Sequence, residues 1–140
     1  MLTTAKTSDL RVADLMTIDP VVVSIDATIE EAEELLRQHR ITGLPVVNGG
    51  SRLVGVISQT DLLYLAVPAV QALIRHRESG IRVGEVMSTP PVTIAADATV
   101  RQAAQTMVDE RFHRLVAVDA SGRPIGVISA MDFVGLYAEG

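Results

Sequence analysis

The chain has 140 residues and a mass of 15.0 kDa, enough for one compact domain or two halves sharing a core, and its 48% apolar content suffices to fill one. Seventeen acidic against twelve basic residues give a net charge of -5, which argues against a binder of duplex nucleic acid, and 3% aromatics without tryptophan leave no stacking platform for single strands. The absence of cysteine removes disulfides, thiolate metal sites and cysteine nucleophiles together.

Residues Met1 to Leu10 lack the apolar core of a signal peptide. The longest apolar run, Leu62 to Val70, is half a membrane span and contains Pro68. A soluble, cytoplasmic protein without membrane insertion is expected.

In chain order, Val21-Val22-Val23 reads as a short β-branched strand. Thr28-Ile29-Glu30-Glu31 reads as a capping box, Glu31 reaching back to Thr28, and the helix it opens buries Ile29, Ala32, Leu35 and Leu36 on one face. A buried strand follows over Leu44 to Val47, then a turn on Asn48-Gly49-Gly50 and a return strand over Leu53 to Ile57. A second helix starts at Ser58. Over Ala66 to Arg82, Pro68 suits a first helical turn, Val70, Leu73 and Ile74 make a short apolar stripe, and Gly80 is a stop. This reads as a helical linker. Its Arg75-His76-Arg77 is a solvated face or, in the second reading, a contact for an effector or partner.

From Val83 the same order returns. A shift of 71 residues lays Val12–Leu65 on Val83–Leu136 without a gap, and 18 of the 54 pairs are identical. Val92-Thr93-Ile94 matches the first strand, and Thr99-Val100-Arg101-Gln102 the capping box, ahead of Ala103 and Met107. Leu115 to Val118, a turn on Asp119, Ser121 and Gly122, and Ile125 to Ile128 repeat the hairpin, and Ser129 starts the last helix. The expected organisation is repeat one over 10–66, linker over 67–82 and repeat two over 83–137. The fold class is α/β (α+β): two β-α-β-β-α units, each too small to stand alone, packed sheet to sheet with pseudo-two-fold symmetry.

Three duplicated marks resemble a known family. They are Val12-Ala13-Asp14-Leu15-Met16 with Val83-Gly84-Glu85-Val86-Met87, Ile41 to Val47 with Phe112 to Val118, and the Gly-x-x-Ser-x-x-Asp stretches Gly55–Asp61 and Gly126–Asp132. In this order, over roughly residues 10 to 137, the chain resembles a tandem pair of cystathionine-β-synthase (CBS) domains, a Bateman module. The resemblance implies an adenosyl ligand (AMP, ADP, ATP, S-adenosylmethionine or a dinucleotide) in clefts between the copies. It also implies regulation of a separate, unidentified protein, disc-like homodimers, no chemistry of the module's own and no obligatory cofactor.

Ser58 with Asp61, and Ser129 with Asp132, carry two compatible readings. Ser-x-x-Asp is a helix cap with an acid suited to the dipole. It is also an anion site at free N–H groups, where the family pattern has Asp accept ribose hydroxyls and Ser donate to phosphate. His113 and Arg114 resemble the His-Arg pair that holds phosphates in the γ subunit of AMP-activated kinase; the other reading is a surface Arg and a partly buried His. Repeat one has Thr42 and Gly43 at those positions, so a cation there comes from elsewhere, with Arg40 the candidate. The resemblance implies pairing across the repeats, which joins Asp61 to His113 and Arg114, and that cleft is expected to be the stronger one. The family places the hydroxyls of Thr17 and Ser88 near ligand, although both suit an ordinary turn. Ile41, Leu44 and Pro45 are either an adenine wall or plain core.

An enzyme is not expected. There is no phosphate-binding Gly-rich loop with Lys-Ser/Thr, no nucleophile elbow and no His-x-x-x-His pair for zinc. Two functions remain, an adenine-nucleotide sensor and a ligand-independent dimerisation module that uses Leu62, Leu63, Phe133 and Leu136.

Overall fold

The computed structural model describes residues 10–75 and 80–139, so that His76 and Arg77 of the basic triplet lie outside the described residues. Short elements alternate along the chain: α1 Val12–Leu15, β1 Thr17–Ile18, β2 Val23–Ser24, α2 Ile29–His39, β3 Gly43–Val47, β4 Leu53–Ser58, α3 Gln59–Tyr64 and α4 Pro68–Ile74. After a 3-10 turn over Val83–Glu85 come β5 Thr93–Ala95, α5 Val100–Glu110, β6 Arg114–Val118, β7 Pro124–Ser129 and α6 Ala130–Glu139. The fold is mixed α/β, and each repeat forms its own sheet.

The first compact unit is Val21–Pro91. Its sheet runs β2-β3-β4, with β2 parallel to β3 and β3 antiparallel to β4. A parallel pair needs a crossover, and α2 supplies it. That helix buries Ala32 and Leu36 against Val23, Leu44, Val46 and Ile57, with Leu35 half-buried at the margin. Thr28 caps it by accepting from the N–H of Glu31 at 3.2 Å. Only this arm of the box forms; in α5 both arms form, Thr99 accepting from Gln102 N–H and donating its own N–H to the Gln102 side chain. In α4, Pro68 opens the helix as expected. Its inward face is Val70 and Ile74, one turn apart, while Leu73 is 78% exposed and drops out of the stripe.

The second unit joins the residues up to Pro20 to those from Val92 onward. Its sheet runs β1-β7-β6-β5 over a core of Val12, Ala103, Met107, Leu115, Ala117 and Ile128. The two segments ahead of the first strands are therefore exchanged. Val12–Met16 opens repeat one yet completes the unit of repeat two, where Val12 N–H donates to Ala98 C=O at 2.9 Å and β1 pairs Thr17 with Val127 and Ile18 with Gly126. Val83–Met87 opens repeat two yet completes the unit of repeat one, where Val83 N–H donates to Ala27 C=O at 2.8 Å and Ser88 bridges Val56. Both exchanges bury a valine completely, and both cover the edge of a hairpin that would otherwise present unpaired amides.

The two hairpin turns differ in a charge. Asn48 Oδ1 accepts from the N–H groups of Gly50 and Arg52, whereas Asp119 Oδ1 accepts from Ser121 N–H, Arg123 N–H and the Ser121 hydroxyl. The Ser121 hydroxyl, then the Arg123 amide, hold the Asp119 carboxyl below its ordinary range. A carboxylate depressed in the folded state lends stability above the unfolded pKa and loses it as the pH falls through the folded one. Asp119→Asn, which copies Asn48, is expected to flatten the acid limb of the stability curve. Urea midpoints for both proteins at about pH 7 and about pH 2 check this, and an unchanged acid loss in the variant refutes it.

Candidate functional site

Each hairpin ends in a serine that bonds the aspartate three residues on, in the first turn of the following helix. In the first unit Ser58 closes β4; its N–H and hydroxyl donate to Asp61 Oδ2 at 2.9 and 3.2 Å, and Asp61 N–H donates back to Ser58 Oγ at 3.3 Å. In the second, Ser129 N–H and Oγ donate to Asp132 Oδ2 at 2.7 and 3.2 Å. Ser58 thus makes both arms of a capping box, while at Ser129 the arm to the carboxylate is the one that forms among the described residues. A further contact distinguishes them. Ser88 Oγ donates to Asp61 Oδ1 at 3.0 Å, with the Ser88 backbone fixed by two bonds to Val56. Thr17, the counterpart of Ser88, makes no side-chain bond among the described residues.

The glycine of each signature is a steric requirement. A Cβ on Gly55 would lie 2.6 Å from Met87 Sδ and 2.9 Å from Ser88 C=O, and one on Gly126 would lie 2.8 Å from Met16 Cγ and 3.0 Å from Thr17 C=O. Glycine there lets the methionine segment lie on the sheet. The sequence holds a signal for this, since Met16, Met87, Gly55 and Gly126 coincide under the repeat shift, but it does not say which methionine meets which glycine.

Strand register sorts the remaining candidates. Gly43 pairs with Ser58, and Pro45 with Val56, which also bridges Ser88. Side chains two apart share a face, so Pro45 lies on the side of Ser58 and Ser88. Leu44 points the other way and is fully buried in the core, with Ile41 packed at its margin. In the second unit Arg114 pairs with Ser129, and Val127 with Thr17, again on one face. His113 C=O accepts from Ala130 N–H at 2.7 Å, so the His-Arg pair adjoins the first turn of α6. Both side chains are exposed. At the matching place in repeat one Thr42 C=O accepts from Gln59 N–H, and no charge is present; Arg40 is exposed at the left-handed end of α2, with φ 53°. The register thus sets Arg114 beside Ser129 of its own repeat.

Asp61 also borders a groove of ≈ 630 Å³ between α3, α4 and residues 81–86, walled by Leu63, Leu65, Val67, Val70 and Ile74. A shallower depression in the second unit is lined by Thr93, Asp97, Gln102, Gln105 and Asp119, without a cation to receive phosphate. Among the described residues no cluster of His, Asp or Glu is placed to hold a metal ion, and no helix is long and apolar enough to cross a membrane.

Comparison with known proteins decides the family, because the CBS domain is matched twice, by residues 12–67 and 83–139. The chain belongs to the CBS domain family. This CBS pair is similar to CBSX2 of Arabidopsis thaliana, whose crystal structure in complex with AMP superposes with a TM-score of 0.81 at 33% identity, covering 93% of this chain and 97% of that one. A CBS domain pair solved with 5′-methylthioadenosine and S-adenosyl-L-methionine has the same fold, with a TM-score of 0.79 at 23% identity over 92% of this chain and 96% of that one. The chloroplastic CBS domain-containing protein CBSX1 of Arabidopsis thaliana is 31% identical over 77% of this chain and 55% of its own length. The inosine-5′-monophosphate dehydrogenase of Korarchaeum cryptofilum is 30% identical over 81% of this chain but only 21% of that enzyme. The CBS pair thus spans between a fifth and somewhat over half of these curated relatives.

Proposed function

We propose that this CBS pair is a regulatory module that binds an adenosyl ligand carrying phosphate (AMP, ADP or ATP) and signals to a separate protein. The observation that carries the reading is the pair of Ser-Asp helix starts, one of them with Arg114 beside it, in a chain 33% identical to a protein crystallised with AMP. A carboxylate accepts from ribose hydroxyls. A guanidinium clamps phosphate oxygens in a planar fork and stays charged at every working pH. The N–H groups opening α6, with Ser129 and exposed His113, add donors on the same side. Thr17 and Ser88 offer hydroxyls, and half-buried Ile41 is the apolar candidate for a purine, Pro45 being buried. Nothing in this set is a nucleophile with its base, so the module acts by binding and not by catalysis.

The module works as a homodimer in this reading. Leu63 and Tyr64 on α3 are 71% and 63% exposed, and Met131 and Val134 on α6 are 72% and 52% exposed. Apolar surface of this kind on two equivalent helices favours a symmetric contact.

Isothermal titration with AMP, ADP, ATP, S-adenosylmethionine and adenosine tests the proposal, with light scattering on the same samples to read a dimer mass. Arg114→Ala is expected to weaken AMP about tenfold or more, the worth of a charge-assisted hydrogen bond, and to leave adenosine unchanged. No heat and no melting shift with any of these ligands at millimolar concentration would falsify the sensing role and leave a ligand-independent dimerisation module.

A further inference from the structure

A carboxylate has about four lone-pair sites, two on each oxygen. In both helix starts Oδ2 already accepts from the N–H and hydroxyl of the serine three residues before it. What remains for a ligand is Oδ1, and there the two repeats differ. Asp132 Oδ1 accepts nothing from the described residues. Asp61 Oδ1 already accepts from Ser88, whose backbone cannot withdraw without breaking its two bonds to Val56, at 2.8 and 3.0 Å. One carboxylate is left with two acceptor sites and the other with one.

Resting on the adenosyl-ligand reading above, we propose that Ser88 is a positioning residue that makes Asp61 an acceptor for a single ribose hydroxyl, so that only Asp132 receives a complete vicinal diol. Thr17, at the equivalent place, leaves Asp132 unencumbered. The inequality of the two helix starts is then set by a hydroxyl, and it runs opposite to the order that the family's pairing of Asp61 with Arg114 implies. It also sets specificity. The Asp132 start demands both ribose hydroxyls, whereas the Asp61 start tolerates the loss of one.

The test uses the full chain with one carboxylate at a time neutralised by its isosteric amide, titrated with AMP, 2′-deoxy-AMP and 3′-deoxy-AMP. In Asp61→Asn, where Asp132 alone is charged, both deoxy analogues are expected to bind about tenfold more weakly than AMP. In Asp132→Asn only one of the two analogues loses affinity. Adding Ser88→Ala to Asp132→Asn should strengthen AMP and make both analogues weak, and Ser88→Thr, which restores a hydroxyl, should return the single-analogue pattern. In the Asp61→Asn protein, Ser88→Ala should leave the ratio of AMP to deoxy-analogue affinities as it was. A residue that only supported the fold would shift all three ligands together. Equal analogue patterns in the two single-carboxylate proteins, or a pattern indifferent to Ser88→Ala, overturn the proposal while the adenosyl reading stands. Failure of the unsubstituted chain to bind AMP overturns both.

Discussion

Gly126→Ala is expected to destabilise the second unit by about 1–3 kcal/mol, the usual cost of overpacking. The added methyl would meet Met16 Cγ at 2.8 Å and Thr17 C=O at 3.0 Å. The methionine is flexible and can move aside, but the carbonyl belongs to the residue that pairs with Val127 and cannot retreat without parting β1 from β7. Gly55→Ala should cost a similar amount and carry a second consequence. Its methyl would press on Ser88 C=O at 2.9 Å, and Ser88 holds Asp61, so AMP binding at that carboxylate should change along with stability. Urea unfolding at constant m measures the first effect. Combining Gly126→Ala with Met16→Ala separates the two neighbours, because relief of the strain by that pairing would assign it to the side chain and not to the backbone.

Leu44→Ala should cost more, about 2–5 kcal/mol, as deletion of a large buried side chain does when the site collapses only partly. Leu44 is fully buried among Leu36, Val46 and Ile57, on the opposite side of β3 from Pro45. Its AMP affinity, measured well below the melting temperature, should stay near that of the parent. A stable Leu44→Ala protein with weakened AMP binding would instead make Leu44 part of the purine wall.

What the sequence made legible follows from the range of the forces involved. The helices α2 and α5 announce themselves through a cap and a 3.6-residue apolar stripe, and the hairpins β3-β4 and β6-β7 through β-branched runs around an Asn or Asp turn. Each of these signals spans fewer than about fifteen residues. The cap at Ser58 and the Ser129–Asp132 pairing were legible for the same reason. The exchange of the methionine segments was not, because β1 is two residues long and its partner β7 lies about 110 residues further on, where local pattern carries no information. The Ser88–Asp61 bond escaped for the same reason, since it depends on which copy the second methionine segment joins. The first strand begins at Val23, not Val21, because only from Val23 does the chain run beside Val46. For the candidate site, strand register groups the residues within each repeat, which local pattern alone could not do.

The exchange also dictates how the chain is made and how it can be cut. Residues 21–91 are contiguous, so the first unit has all its parts as soon as Pro91 has left the ribosome. The second has its opening piece first and its last strand more than about a hundred residues later, so Val12 and Met16 emerge long before the sheet they belong to. A fragment ending at the repeat boundary, near residue 66, would part Gly55 from Met87 and strand Met16 without Gly126, leaving one apolar segment exposed and no finished core. A fragment over 21–91 keeps every partner of its sheet. The unit of inheritance is the repeat of 71 residues, but the unit of folding is displaced from it by the length of one methionine segment.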